Sequence, residues 1–452
     1  MTQFTASITR DESPTLTEFQ PQGGFRYRFV FQLGFVFLLL LTLPLDPHYY
    51  QQLFAAREGG LHFQDLFRIT NFTPYWGQYG TWGLQSFTGW LWALLVAVPV
   101  AVVWNRLDKN FDARYPQWQY ALRVVLRYRL AIALLAYGFL LLFPLQVPYP
   151  SISDLHTRYG DFLPWKIYYH SLGVAASGYE STLGFIEILT ALLLIGRRTA
   201  TIGAGIAAAA LINVVLANFA YDLGQQVLSV YLLLIASVIL LHDVSRLYHL
   251  LVKETRAVAD KFVPPFSASA VIWRRWTKIA FTLFFITYAS LAYSSYKHDR
   301  WPYPGKPGLA KAAGFYNVSH FVIDGQELPY SLTDTVRWQN VVLEAWNTLS
   351  IRSVQHVRPN LNGPEINEQT DLENEGNGGR RFYSYSVSGE EIFLVNKNER
   401  SDSIAFRLQR PDANTILLDA TNYHGHTLHV QLDVQEKTYL LHLGRRKPVR
   451  AL

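Results

Sequence analysis

The chain has 452 residues, half of them hydrophobic and 15% aromatic, with a formal charge of +6 and no cysteine. Lacking cysteine, it forms no disulfide, thiolate metal site, cysteine-ligated iron–sulfur cluster, covalently attached haem or thiol redox centre of its own. Mean hydropathy is barely positive, so the apolar content must be gathered into segments beside a sizeable water-exposed part.

Residues 1–27 are polar, lack the apolar core and cleavage pattern of a signal peptide, and read as a disordered cytoplasmic tail. Seven segments long enough for a hydrocarbon core of about 30 Å follow, near 29–45, 85–104, 130–147, 182–196, 200–221, 226–242 and 278–295. The first and fourth are short. Positive charge is retained on the cytoplasmic side of short loops. The loop after the second segment carries Arg106, Lys109, Arg114, Arg123, Arg127 and Arg129. The fourth-to-fifth turn carries Arg197 and Arg198, and the stretch after the sixth carries Arg246, Lys253, Arg256, Lys261, Arg274, Arg275 and Lys278. These are expected inside. The loops 46–84 and 148–181 hold only Arg57, Arg68, Arg158 and Lys166 amid many Trp, Tyr and Pro, and are expected outside in an aromatic interface belt. The predicted protein is therefore a multi-pass inner-membrane protein with a cytoplasmic N-terminus and everything after Lys297 periplasmic. The net charge follows from this topology and implies no nucleic-acid partner.

From Trp301 onward the texture changes to short alternating runs between turn residues. Strands are predicted at Phe382–Val387, Glu391–Val395, Ile404–Gln409, Thr415–Ala420, Thr427–Val434 and Tyr439–Leu443, with an earlier pair flanking Asp324-Gly325, giving an antiparallel sheet or small barrel. Val336, Val341, Ala345 and Leu349 suggest a helix over Asp334–Leu349, and Pro364–Gly379 reads as a solvated loop. Trp338, Trp346 and Tyr330 are expected in the core. The histidines of Tyr423–His429 read as surface groups at a turn rather than a metal site, since His426 and His429 point to opposite faces of one strand.

Chemistry is sought among the polar groups inside the apolar segments. A carboxylate or amide in hydrocarbon costs several kcal/mol unless it faces a bundle interior, which makes such residues functional candidates. Glu187 is the strongest, as a ligand, proton or catalytic group. Asn213, Asn218, Tyr221, Asp222 and Tyr231 fall in the same outer layer of three consecutive helices and are candidate ligand-binding residues. Asn218 and Asp222 share a face, whereas Asn213 is turned away from Asn218. The plainer reading is that the asparagines hydrogen-bond across the bundle and do nothing more. A quinone headgroup would suit the layer, with Tyr168, Tyr169 and Tyr179 as further walls. No mid-helix histidine pair offers a haem site, because His48, His170 and His242 lie near segment ends.

Gly184 to Thr199 (Gly-Phe-Ile-Glu-Ile-Leu-Thr-Ala-Leu-Leu-Leu-Ile-Gly-Arg-Arg-Thr) and Leu211 to Leu223 (Leu-Ile-Asn-Val-Val-Leu-Ala-Asn-Phe-Ala-Tyr-Asp-Leu) resemble the DoxX-like family. The resemblance implies a four-helix membrane unit over about 129–252 and, in some members, thiosulfate oxidation coupled to quinone reduction. It leaves outside that unit two transmembrane helices in 28–128, a basic linker and seventh helix in 253–297, and a β-rich domain in 298–452. The architecture also resembles the membrane domain of γ-glutamyl carboxylases, yet no lysine lies between Lys166 and Lys253 to act as a buried base in the fourth to sixth helices. Two functions are carried forward. One is a quinone-linked redox subunit whose electrons come from a partner or directly from substrate. The other is a non-catalytic, membrane-anchored scaffold or ligand-binding protein that presents the β domain.

Overall fold

The computed structural model describes residues 25–441 except 46, 54–60, 73–82, 147, 176–177, 256–261, 263, 299–302, 356, 362 and 364–370. Most of the expected N-terminal tail thus lies outside the described residues. Twelve helices are described: α1 (Phe25–Thr42), α2 (Pro47–Leu53), α3 (Phe63–Thr70), α4 (Thr88–Leu107), α5 (Phe111–Leu142), α6 (Ile152–Leu155), α7 (Pro164–Gly173), α8 (Tyr179–Ile195), α9 (Ala200–Tyr221), α10 (Gln226–His242), α11 (Val244–Leu251) and α12 (Ala268–His298). Each of the seven apolar segments is helical. Four stretches, 83–107, α5, α9 and α12, are long and apolar enough to cross a membrane, and α10 with α11, bent by 66°, makes a fifth if taken as one span. α8 has 17 residues, about 26 Å at 1.5 Å per residue.

The basic stretches differ most from expectation. α5 begins at Phe111 rather than near 130 and runs 32 residues, about 48 Å. Arg114, Arg123, Arg127 and Arg129 are therefore helical rather than loop residues, and α12 likewise absorbs Arg274, Arg275 and Lys278. Arg127 and Arg129 are buried, which uniform placement in an aqueous loop did not anticipate.

α5 is the axis of the bundle. Against it α8 packs through two glycines: a Cβ on Gly184 would lie 2.4 Å from the Leu142 nitrogen and 2.5 Å from the Gly138 carbonyl oxygen, and one on Gly138 3.0 Å from the Gly184 oxygen. Only hydrogen permits this approach, as at small-residue interfaces of membrane helices. α3 also enters the core. Phe63, Leu66 and Phe67, spaced to share one helical face, are buried among α5 and α12 residues, so part of the 46–84 loop is built into the bundle.

Nine strands follow: β1 (Gly314–Ile323), β2 (Gln326–Glu327), β3 (Asn340–Leu343), β4 (Thr348–Arg352), β5 (Arg381–Ser388), β6 (Glu391–Asn396), β7 (Ser403–Gln409), β8 (Thr415–Tyr423) and β9 (His426–Val434). They pair antiparallel in the order β1-β3-β4-β5-β6-β7-β8-β9, and β9 returns to β1, closing an eight-stranded barrel with β2 as a short flap on β1. Turn chemistry explains two of the corners. Asp324-Gly325 and His424-Gly425 each place two successive residues at positive φ, the backbone of the tight hairpin turn that matches strand twist. Inside, Trp338, Phe321, Phe406, Tyr423 and the alternating aliphatic residues of β4–β9 fill the barrel.

The expected helix over Asp334–Leu349 is instead β3, β4 and their connection. Val341 and Val342 are both buried, because β3 is covered on its barrel face and on its outer face, and that removes the alternation by which a strand is recognised. Tyr330 is exposed rather than core, Trp346 is half-buried, and residues 439–441 are not a strand. Leu443 lies outside the described residues. The described part of the 364–379 loop is also no solvated loop: Glu373, Asn374, Glu375 and Asn377 are buried.

Candidate functional site

Glu187 projects from α8 near the Gly184 contact and is half-buried. Its Oε2 is enclosed and has no hydrogen-bond partner among the described residues, while Tyr137 on α5 lies within electrostatic reach. An enclosed, unpartnered carboxyl oxygen among apolar helices is the kind of group that is costly unless it carries a proton or meets a ligand.

The other candidates separate into three places. Asn218 and Asp222 hold the α9–α10 turn: Asn218 Oδ1 accepts from the Gln225 nitrogen (3.0 Å), its Nδ2 donates to the Val214 oxygen (2.9 Å), and Gln226 Nε2 donates to Asp222 Oδ1 (3.0 Å). Asp222 closes α9 at φ 54°, a left-handed cap that Asp and Asn tolerate better than most residues. Tyr221 is exposed and rests on Tyr168, ring centroids 5.0 Å apart. Asn213 is exposed on the outer surface of α9, turned from Asn218 as expected. Tyr231 is fully buried in a different pocket, where its hydroxyl shares a 3.0 Å hydrogen bond with Thr42. Of the expected aromatic walls, Tyr169 is buried and accepts from Gln146 Nε2 (3.3 Å), whereas Tyr179 is exposed.

Arg129 lies beside Tyr231, its guanidinium carbon 5.5 Å from the ring centre and 4.8 Å from that of Phe72. It donates to the carbonyls of Thr70 and Phe72, both at 3.0 Å. A buried cation thus meets the carbonyl end of α3, where the helix dipole favours positive charge, and this contact seats α3 in the bundle.

A larger polar constellation joins the 148–175 segment to the barrel. Ser151 and Asp154 form a capping box that starts α6. Lys166, 1% exposed, forms an ion pair with Asp154 Oδ1 at 3.1 Å and donates to the carbonyls of Leu372 and Glu373, both at 2.8 Å. The contact with Asp154 is an ion pair without hydrogen-bond alignment, since Oδ1 has no such bond among the described residues; His170 stands 3.7 Å from the same oxygen. Burial works against the Asp154 charge, yet Lys166 and His170 together hold its carboxyl well below the usual carboxylate range. Glu344, on the β3–β4 connection, accepts from the Ser153 nitrogen and Oγ, both at 2.7 Å. Arg380, fully buried, donates to Ser350 Oγ and Asn340 Oδ1, both at 2.7 Å. Glu373 accepts from Trp346 Nε1 and Thr348 Oγ1, both at 2.5 Å, and pairs with Lys397. The Leu163 nitrogen donates to the Gly376 oxygen at 2.9 Å and the Gly378 nitrogen to the Asp161 oxygen at 2.8 Å. Lys166 thus ties Asp154 of the 148–175 segment to the Leu372 and Glu373 carbonyls. The arrangement is a buried polar joint, suited to fixing the barrel.

Sequence carries little trace of this joint because its members are scattered from Ser151 to Lys397; the Ser151-to-Asp154 spacing is the available local signal. The turn histidines pair with separate acids, His426 with Asp324 at 2.6 Å and His429 with Asp419 at 2.5 Å. Among the described residues no three His, Cys, Asp or Glu side chains gather as a metal site.

The chain is similar to the uncharacterized protein YwoB of Bacillus subtilis (strain 168), 43% identical over 65 residues, 14% of this chain and 42% of that protein. It thus spans about two-fifths of the length of that curated relative. No family model and no solved structure matches.

Proposed function

We propose that the chain is an inner-membrane protein of seven crossings, N-terminus cytoplasmic and barrel periplasmic, that binds a quinone or similar amphipathic carbonyl compound at Glu187 as the membrane subunit of a redox system. The observation that carries this reading is the enclosed, unpartnered Oε2 of Glu187. In its protonated form the carboxyl donates a hydrogen bond to a ligand carbonyl and supplies a proton when that carbonyl is reduced. Apolar surface of α8 and α9 beside it suits a hydrocarbon tail. Asn218 and Asp222 act indirectly, by fixing the α9–α10 turn. Electrons come from a partner subunit or directly from substrate. The DoxX-like resemblance over 129–252 supports the same reading.

The test is mass spectrometry of quinones retained by the gently purified protein, wild type beside Glu187→Gln and Glu187→Leu. Retention by wild type, lost in the Leu variant, is the expected result; equal retention in all three, or none in wild type, refutes it.

A second reading rests on the buried joint. A barrel filled with its own side chains and locked to the bundle is well made to present its outer surface at a fixed height above the membrane. On that reading the chain is an anchored scaffold, and Glu187→Leu leaves every partner contact of residues 301–441 unchanged.

A further inference from the structure

A cleft opens at the end of the bundle remote from the barrel, where the first half of α5 meets the α8–α9 turn and the last residues of α10. It is open at the mouth, with a volume of about 400 Å³ that includes solvent-open space. Arg123, Arg127 and Arg197 line it together with Gln119, Tyr120 and His242.

Each arginine is anchored by part of its fork. Arg123 Nη2 pairs with Asp243 Oδ2 at 2.5 Å, and Thr201 donates to the same oxygen at 2.5 Å. Arg127 Nε and Nη2 donate to the carbonyls of Leu194 and Ile195, at 2.9 and 2.7 Å, closing the C-terminus of α8. Arg197 Nη2 donates to the Phe262 oxygen at 2.7 Å. Arg123 Nε is enclosed with no partner among the described residues. Three guanidinium groups share this cleft, and of these Arg123 pairs with the Asp243 carboxylate. Arg123 and Arg197 are both like charges within electrostatic reach of Arg127. Such an array is held together against its own repulsion, and an anion with several acceptor oxygens relieves it. Gln119, Tyr120 and His242 add polar groups around the same space, while Pro116, Val124 and Phe262 give it an apolar side.

We propose that this cleft binds a phosphate group, with the planar forks of Arg123, Arg127 and Arg197 meeting its oxygens and the apolar side accommodating what the phosphate is attached to. Basic pockets between transmembrane helices are suited to anionic lipid headgroups; a soluble phosphate ester offers the same oxygens. The site is independent of Glu187, which lies two turns or more away along α8.

The experiment uses the full chain in nanodiscs of phosphatidylcholine with phosphatidylglycerol, counting bound lipid by native mass spectrometry, beside line broadening of inorganic phosphate in ³¹P spectra. Arg197→Gln tests the site, since Arg197 is exposed on the turn and its loss leaves the helix closure by Arg127 intact. Arg198→Gln, on the same turn but outside the cleft, is the control, and Arg197→Lys keeps the charge. Retained phosphatidylglycerol is expected to fall about fivefold in Arg197→Gln, to stay at the wild-type level in Arg198→Gln, and to recover partly in Arg197→Lys. Broadening of inorganic phosphate that needs Arg197, without lipid retention, assigns the site to a soluble ester. Equal behaviour of Arg197→Gln and Arg198→Gln in both measurements, or no binding by wild type, overturns the proposal.

Discussion

Replacing Lys166 by Met removes the ammonium and leaves a side chain of similar length. Asp154 Oδ1 then loses its cation at 3.1 Å, and the carbonyls of Leu372 and Glu373 lose donors at 2.8 Å, all at a site where the lysine is 1% exposed. Breaking one side of a buried pair costs roughly 3–5 kcal/mol, because the remaining charge stays dehydrated. Asp154→Asn, which keeps the shape and the Ser151 contact, is expected to cost less, and the double variant less than the two together by about 1–3 kcal/mol. The assay is hydrogen exchange of amides 151–166 and 371–379 in the purified full chain, with limited proteolysis between α5 and α8 as a second readout. Faster exchange in both segments, with barrel amides of β6–β9 unaffected, is the expected pattern. If Lys166→Met lowers the opening free energy of these amides by less than about 1 kcal/mol, the ion pair does not hold the joint and the reasoning fails.

Gly184→Ala is expected to cost about 1–3 kcal/mol by forcing α8 off α5, whereas Gly205→Ala, where a Cβ meets nothing within 4 Å, is neutral or gains a few tenths of a kcal/mol in helix propensity; thermal melting in detergent separates them. Arg129→Met leaves the Thr70 and Phe72 carbonyls without their donor and should raise exchange of the amides of α3, an unchanged rate being the contrary result. The joint also responds to pH. Burial pushes Glu344 up to about 7 against the pull of the Ser153 donors, and burial, aided by Lys437 and Arg380, pulls His156 down to about 4. Between the ordinary carboxylate range and pH 7 the folded state holds more protons at Glu344 than the unfolded, so its contribution falls as pH rises through that window; at His156 the folded state holds fewer, so its contribution rises until the ordinary imidazole range is passed. Above about pH 6.5 the His156 contribution is complete, while burial raises Glu373 in the same direction as Glu344; opening of the α6 amides should be easier at pH 7.5 than at 6.5, with a smaller difference in Glu344→Gln.

Apolar segments and turn residues were legible wherever one local rule governed them. The seven helical segments follow from length and composition, and the hairpins at Asp324-Gly325 and His424-Gly425 follow from residues that accept positive φ. What was not legible depended on contacts between distant residues. β3 resembled a helix because the 148–175 segment covers its outer face. Residues 371–379 resemble a solvated loop because their carbonyls find a partner in Lys166 and their carboxylates in Thr348 and Lys397, which no local window contains. Arg129 was counted as a loop charge because the α3 carbonyls that receive it are 57–59 residues away. Among the site candidates, spacing alone correctly separated Asn213 from Asn218, but depth along a helix did not show that Tyr231 looks toward Thr42 while Asn218 and Asp222 close their own turn.

Closure of the barrel through β1 and β9 sets an order of events during synthesis. β1 emerges directly after α12, yet its longest pairing partner is the last of the described strands, over a hundred residues later, and such distant pairing is slow. Until β9 arrives, β1 exposes an open edge, and Lys166 and Asp154, translated long before, have no 371–380 clasp to bury them. The helical bundle therefore waits on the barrel to finish its own surface, and a chain stalled before β9 would present quality-control proteases with an unpaired strand and an unburied lysine at once.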